Sequence, residues 1–367
     1  MVRHDLFVVG GGPAGLATAI AARLAGFSVR LADMRRPPVD KACGEGIMPD
    51  GAAILREMGV VLPPGKAYPL HGIRYVQGEL EVEARFGRGR TGLGVRRTVL
   101  EEALIQRAAD LGVTFEWGRR VNGLHPDGVL LDGSPVAARW VAAADGQDSR
   151  IRRALGLDAP VISRRVGVRR HVAVPSWTDR VEVHWADGCE IYVTPVAPQE
   201  VCLAVLGSDP WLRLDSALER FPALRARLAG SGATTKELGA PTLFRRARGV
   251  TSGRVALVGD AAGCVDAITG AGVCLGLHQA VALAEALRHD DLGRYERDYR
   301  RIARVAVGMT RFMLAIHERP KLRRWTLASL SAVPAVFRQL LAIHIRAHPF
   351  FTLHHEPLAA VPAQGRG

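Results

Sequence analysis

Three groups of residues in this 367-residue chain have the types and spacing to do chemistry. The first is Gly10-x-Gly12-Pro13-Ala14-Gly15, which follows the apolar run Leu6–Val9 and opens an alanine-rich segment. Glycines at this spacing permit a tight turn, close approach of a pyrophosphate to the backbone, and close packing of a helix on a strand. The N-terminus of that helix carries about half a positive charge beside free N–H groups, so the backbone itself can hold a diphosphate. Asp33 comes 18 residues after Gly15, near the roughly 20 expected for a carboxylate that accepts from ribose hydroxyls, and Arg35 joins it in the expected cofactor-binding set. The second group is two strand ends that carry acids: Asp145-Gly146, with Ser149 and Arg152 beyond, and Gly259-Asp260, with Gly263, Gly270 and Gly272 beyond. The third is Lys41-Ala42-Cys43-Gly44-Glu45-Gly46. Cys43 reads either as a small buried hydrophobe or as a catalytic or gating thiol; the latter needs a depressed pKa, for which Lys41 is slight support. Glu45 is a candidate proton donor where an apolar pocket raises its pKa, and a solvated carboxylate otherwise.

The elements that must position these groups are legible from periodicity. Residues 4–36 read as strand, glycine turn, amphipathic helix and second strand, a βαβ unit. Residues 140–156 and 253–287 each read as a strand, an acidic turn and a helix. Between them, residues 70–87 and 167–207 alternate apolar and polar and are rich in Val, Tyr and Trp, as expected for strands of an antiparallel sheet assembled from two separated stretches. The expected fold class is α/β. A Rossmann-like cofactor domain (1–69, 88–157 and 250–310) is interleaved with a substrate-binding sheet domain (70–87 and 158–249). A basic helical segment (311–367) follows, broken at Pro320 and Pro334 and ending in a disordered "EPLAAVPAQGRG". Its apolar side is expected to pack as core, with membrane contact through "KLRR" and "WTLASL" as the open alternative.

With these three fingerprints in order, the chain resembles the FAD-dependent para-hydroxybenzoate hydroxylase superfamily over residues 1 to 310. That superfamily holds aromatic hydroxylases, flavin halogenases and geranylgeranyl reductases. The resemblance implies FAD as cofactor and NAD(P)H as transient electron donor. It also implies that Asp260 meets ribityl or ribose-side hydroxyls, and that Gly270, Ala271 and Gly272 offer N–H groups to the flavin. Arg97, in "GVRRTVLEEAL", carries over as a FAD contact from the family's R-x-x-L-x-x-x-L. The run Lys41 to Pro49 fits the K-x-C-G-x-G-x-x-P of the geranylgeranyl reductase-like branch, which would turn Cys43 toward the substrate. Tyr192, Thr194 and Pro195 are implied cavity residues. There the chain departs from the reductase pattern Y-x-W-x-F-P, and Ala271 and Ala267 stand where reductases carry Glu and Pro.

Composition excludes several classes. The chain is 48% apolar and 23% charged, enough to bury a large core. Its +13 formal charge, 49 basic less 36 acidic residues, is scattered, whereas nucleic-acid binding needs a clustered footprint; anionic cofactors or lipid headgroups suit it equally. Five cysteines without C-x-x-C indicate neither a disulfide framework nor a zinc site, so no metal is expected and a cytoplasmic setting fits, with peripheral contact at the inner membrane face left open. A monomer or homodimer acting on an apolar small molecule is the resulting expectation. Hydroxylation or oxidation of a polyketide or aromatic secondary metabolite leads, because the bulky tunnel residues are missing. The alternatives are C=C reduction of an isoprenoid, with Cys43 as acid, and a non-catalytic flavin redox module, which would bind FAD without turnover.

Overall fold

The computed structural model describes residues 4–346. Strand β1 (His4–Val9), helix α1 (Pro13–Leu24) and strand β2 (Val29–Asp33) form the expected βαβ unit, with Leu6 opposite Val29 and Val9 opposite Ala32 in a parallel ladder. Next come β3 (Gly46–Ile47), α2 (Pro49–Glu57), β4 (Ala67–Leu70), the hairpin β5 (Gly72–Gln77) and β6 (Leu80–Arg85), β7 (Gly92–Val95) and α3 (Arg97–Asp110). The chain returns to the first unit through β8 (Thr114–Trp117), β9 (Val121–His125), β10 (Gly128–Leu131), β11 (Ser134–Ala143) and α4 (Arg150–Ala154). A long excursion then supplies β12 (Val161–Ala173), β13 (Arg180–Ala186), β14 (Cys189–Ala197), β15 (Glu200–Gly207), α5 (Leu214–Leu218), α6 (Pro222–Arg227) and β16 (Leu238–Arg246). Short strands β17 (Thr251–Ser252), β18 (Val255–Leu257) and β19 (Gly263–Cys264) precede α7 (Gly272–Arg288), α8 (Leu292–His317), α9 (Pro320–Ala332) and α10 (Pro334–Arg346).

The first sheet runs β17-β18-β11-β1-β2-β8, with β10 and β9 attached to β11. Its middle strands are covered on both faces and therefore read as unbroken apolar runs; Leu6, Phe7 and Val8 are wholly buried. Small residues on α1 let helices close over that sheet: the Cβ of Ala14 would lie 2.9 Å from a Cβ at Gly276 of α7.

The second sheet, β19-β16-β12-β15-β14-β13-β5-β6, joins the two separated stretches as expected. It differs in one ladder: β5 and β13 run parallel, Gly72 opposite Arg180 and Val76 opposite His184, while the others are antiparallel. Neighbours linked by hairpins must reverse direction; β5 and β13 come from different excursions of the chain and are free of that constraint. Two boundaries also differ in detail. β3, β7 and β4 form a small third sheet between the larger ones, and β19, from the stretch assigned to the cofactor domain, closes the edge of the second sheet beside β16.

Helix α8 continues past residue 310, and α9 and α10 lie against β6. Pro320 and Pro334 each open a helix, where a missing N–H costs nothing, and the two helices bend by 105° at the break. No single described helix is long and apolar enough to cross a membrane; the bent pair Pro320–Ala332 and Pro334–Ile345 meets the length and composition test together. The expected disordered tail lies outside the described residues.

Candidate active site

A cavity of about 640 Å³ lies between the two large sheets, in the size range of small-molecule and cofactor sites. The turn after β1 forms one end. Gly10 holds φ +108°, and a Cβ there would sit 2.3 Å from the Ala144 oxygen. A Cβ at Gly15 would meet the Gly10 oxygen at 1.9 Å, so Gly15 stands behind the turn as a packing residue and does not line the cavity. Gly12, by contrast, opens onto the cavity: its nearest neighbour would be an Arg97 nitrogen at 3.9 Å. It is also the N-cap of α1 and carries no side-chain cap, which leaves the first N–H groups of the helix for another acceptor. Pro13 and Ala14 line the same end.

Asp33 ends β2 and is fixed in the turn, its carboxylate accepting from Gly11 N at 2.7 Å and Arg35 N at 2.8 Å. Asp145 accepts from Arg150 N at 2.9 Å; its other oxygen, Oδ1, is buried without a partner, as is Nε of Arg97, and both residues line the cavity beside Gly146. Arg152, read from the sequence as standing at a helix start within the second fingerprint, is wholly buried and clamps the turn after β18: it donates to the oxygens of Asp260 and Ala261 at 3.2 and 3.0 Å and to Gln147 O at 2.7 Å. Asp260 is accessible through the cavity it lines, and the protein packed around it pushes its carboxyl above the ordinary range, against the pull of Lys41, Arg97 and Arg152. At the other end Gly270 takes φ +63°, and α7 starts at Gly272 with no side-chain cap, facing open space. Ala271 is buried and does not line the cavity, although Gly270 and Gly272 on either side do.

The loop of Cys43 forms the wall. Glu45 occupies the left-handed region at φ +59°, uncommon for a residue with a side chain, and its carboxylate is buried. Oε1 accepts from Arg97 N at 3.0 Å, and Oε2 lies 2.5 Å from Nε2 of His171. Nδ1 of His171 sits 3.0 Å from the Thr235 hydroxyl and 3.3 Å from Arg169, which also pairs with Asp40 and donates to Lys41 O. Cys43 Sγ accepts from Glu45 N at 3.4 Å. Burial first, then the Glu45 charge, push its thiol up, opposite to the depression a nucleophile needs. Glu45, His171 and Cys202 are ligand types gathered within 4.8 Å, but the direct contact of Glu45 with His171 leaves no space for an ion between them.

Tyr192 and Thr194 line the cavity; Tyr192 donates to Ile268 O at 2.7 Å and so ties β14 to the loop before α7. Pro195 does not line the cavity, and its backbone oxygen would be 1.7 Å from a Cβ at Gly94 of β7. The roof above the Cys43 loop is apolar, from Ile73, Tyr75, Val181, Val183, Ala204 and Leu206. Sequence reading missed Arg165, Arg169 and His171. The signal was present as three polar residues at even spacing on β12, which places them on one face of a strand, and that face is buried.

The family model described as a FAD binding domain matches residues 3–205 of this cavity-bearing fold. The chain belongs to that FAD-binding family. Its relatives include the menaquinone reductase of Mycolicibacterium smegmatis, 30% identical over 318 residues (78% of this chain and 76% of that protein). Another is the putative FAD-dependent monooxygenase YetM of Bacillus subtilis, 27% identical over 326 residues (78% and 85%). Among solved structures, a flavoprotein/dehydrogenase from Cytophaga hutchinsonii superposes with a TM-score of 0.78 at 18% identity, covering 94% of this chain and 92% of that one, which shows the shared fold. FAD is the cofactor of this oxidoreductase, and NAD(P)H is the electron donor typical of its family. The cavity fits that dinucleotide on its own terms: two uncapped helix N-termini, those of α1 and α7, open onto one space that Arg97 and Asp145 also line.

Proposed function

We propose that this flavoprotein hydroxylates or otherwise oxidises an apolar aromatic or polyketide-like small molecule. The observation that carries the reading is the state of the Cys43 loop under an apolar roof. Burial and the Glu45 charge push its thiol up, away from the matched acidity of an efficient proton donor near neutral pH, and both oxygens of Glu45 already have partners. Oxygen transfer to an electron-rich carbon asks for no protein nucleophile, only positioning and exclusion of water. Bound FAD supplies the redox chemistry, taking electrons from NAD(P)H and making them available to oxygen or to a carbon centre.

The residues around it then have separate tasks. Gly10, Gly12 and the N-terminus of α1 would hold the diphosphate of FAD, with Asp33 and Arg35 available to its ribose. Arg97, Asp145 and Asp260, which line the same cavity, would supply further polar contacts. The N-terminus of α7, from Gly270, would offer N–H groups to the negative charge that reduction brings. Tyr192 fixes the loop before α7 by its bond to Ile268, and the Cys43 loop and Thr194 shape the space for substrate.

A second reading, reduction of a C=C bond in an isoprenoid, is favoured by the similarity to a menaquinone reductase. One experiment separates them. The FAD-loaded protein is incubated with NADPH and isotopically labelled dioxygen, with a panel of alkylphenols and with menaquinone, and products are weighed by mass spectrometry. Labelled oxygen in a phenolic product supports hydroxylation; two hydrogens gained in the prenyl chain of menaquinone, and kept after the ring is reoxidised to the quinone, transfer the assignment to C=C reduction.

A further inference from the structure

Of the eleven large apolar side chains exposed among the described residues, seven lie between Phe312 and Ile343. Helix α10 splits into two stripes: Phe337, Leu341 and Ile345 are buried, while Val336, Leu340 and Ile343, at helical spacing, face outward. Helix α9 does the same. Its inner face holds Leu327 and Arg323, the latter wholly buried, donating to Asp187 at 2.6 Å and to His317 O at 3.1 Å; its outer face carries Leu322 and Trp325, which is 68% exposed. A core helix hides its large apolar residues, and these two keep a second apolar face outside.

The charge carried by the two helices themselves has one sign, the nearest acid in the chain being the exposed Glu318 just before them. Residues 319–345 contain Arg319, Lys321, Arg323, Arg324 and Arg338 and no carboxylate, and all of these but Arg323 are exposed. An apolar stripe with an exposed tryptophan, rimmed by cations and without acids, matches an anionic lipid surface: the apolar side chains enter the headgroup boundary and the cations stay at the phosphates. We propose that the outer face of α9 and α10 docks this flavoprotein on an anionic bilayer. The bend of 105° between the helices lets both lie along one surface without crossing it. On their inner side the ring of Phe337 packs, tilted, 5.7 Å from that of Tyr75, which also lines the cavity, so the docked surface is two side chains from the site. That proximity suits an apolar substrate taken from lipid and rests on the function proposed above; docking itself does not.

The test is co-sedimentation of the FAD-loaded full chain with vesicles of phosphatidylcholine alone or mixed in equal parts with phosphatidylglycerol. Wild type is expected to bind the anionic vesicles at least tenfold more tightly, and less tightly as salt rises. The doubles Trp325→Asp with Leu340→Asp, and Lys321→Glu with Arg324→Glu, each lose tenfold or more while keeping their flavin spectrum and melting temperature. Trp211→Asp, at an exposed tryptophan elsewhere, retains binding. Failure of wild type to bind anionic vesicles, equal binding by the doubles, or a dimer that Trp325→Asp with Leu340→Asp converts to monomer without any vesicle binding would each overturn the proposal. These readouts involve no turnover, so they fail separately from the assignment of hydroxylation.

Discussion

At the scale of single residues, Glu45 is the centre of the Cys43 loop. It keeps a left-handed backbone and joins three partners: the half-buried Arg97 through its N at 3.0 Å, and the buried His171 at 2.5 Å and Arg169 at 3.9 Å. Backbone strain persists where surroundings hold it, and here the holders are these side chains. Glu45→Ala removes the acceptor and leaves the Arg97 N–H and the buried His171 ring without it, while Arg169 keeps Asp40, so we expect a loss of about 1–3 kcal/mol, read from urea unfolding. Glu45→Gln keeps an acceptor and should lose clearly less. A loss below about 1 kcal/mol for the alanine variant would mean the network carries little stability. Cys43 yields a pH prediction with a definite sign. The thiolate is the reactive form, and burial and Glu45 both disfavour it. Alkylation of Cys43, followed by peptide mapping, should therefore be slower at pH 8 than for an ordinary thiol and rise only at higher pH, and Glu45→Gln should move the rise downward. Fast alkylation at neutral pH would restore the nucleophile reading.

At the scale of elements, glycines separate what a motif shows from what the fold adds. Gly12 and Gly15 were legible together because G-x-G-x-x-G is local, yet they serve different purposes. An alanine at Gly15 collides with the Gly10 oxygen and pushes α1 off β1; at Gly12 it enters the cavity and touches little else. Gly15→Ala should lower both the melting temperature and the FAD content, whereas Gly12→Ala should leave apoprotein melting within about a degree of wild type and weaken FAD by tenfold or more, measured by flavin fluorescence titration. Equal effects of the two on melting would show that the turn does not divide its labour this way. Gly94 was not legible at all. In "TGLGV" it reads as an ordinary strand residue, and its need comes from the oxygen of Pro195 on β14, about a hundred residues away in the chain. The same holds for the parallel join of β5 to β13 and for His171 beneath Glu45: long-range pairings leave no spacing to read, while strand, turn and helix of the βαβ unit do.

At the scale of the whole molecule, one buried cluster ties the parts together. Arg165 of β12 donates to Glu190 of β14 at 2.7 Å and to Asp266, before α7, at 3.1 Å; His317, at the end of α8, lies 2.7 Å from Glu190. All four are buried, and they come from the second sheet, the cofactor loop and the C-terminal helices. Asp266 in turn caps Ile268 N at 3.0 Å, whose carbonyl receives Tyr192, so the loop leading into α7 hangs from this cluster. Removing the cation with Arg165→Met leaves two carboxylates without it, and we expect a loss of about 3–5 kcal/mol together with weaker FAD binding. The pH dependence identifies the cause. Burial already raises the Asp266 carboxyl, and Arg165 is the first influence that lowers it, so its loss raises Asp266 further. A carboxyl whose folded value stands above its unfolded one binds protons more readily in the folded state, and stability then falls as pH rises through that window. The deficit of Arg165→Met relative to wild type should therefore be smaller at pH 5 than at pH 8 in urea unfolding, and adding Glu190→Gln and Asp266→Asn should recover much of it at pH 8. A deficit that is the same at both pH values, and unmoved by those two amides, would assign the loss to packing of the arginine stem and leave the charge cluster with no part in joining the domains.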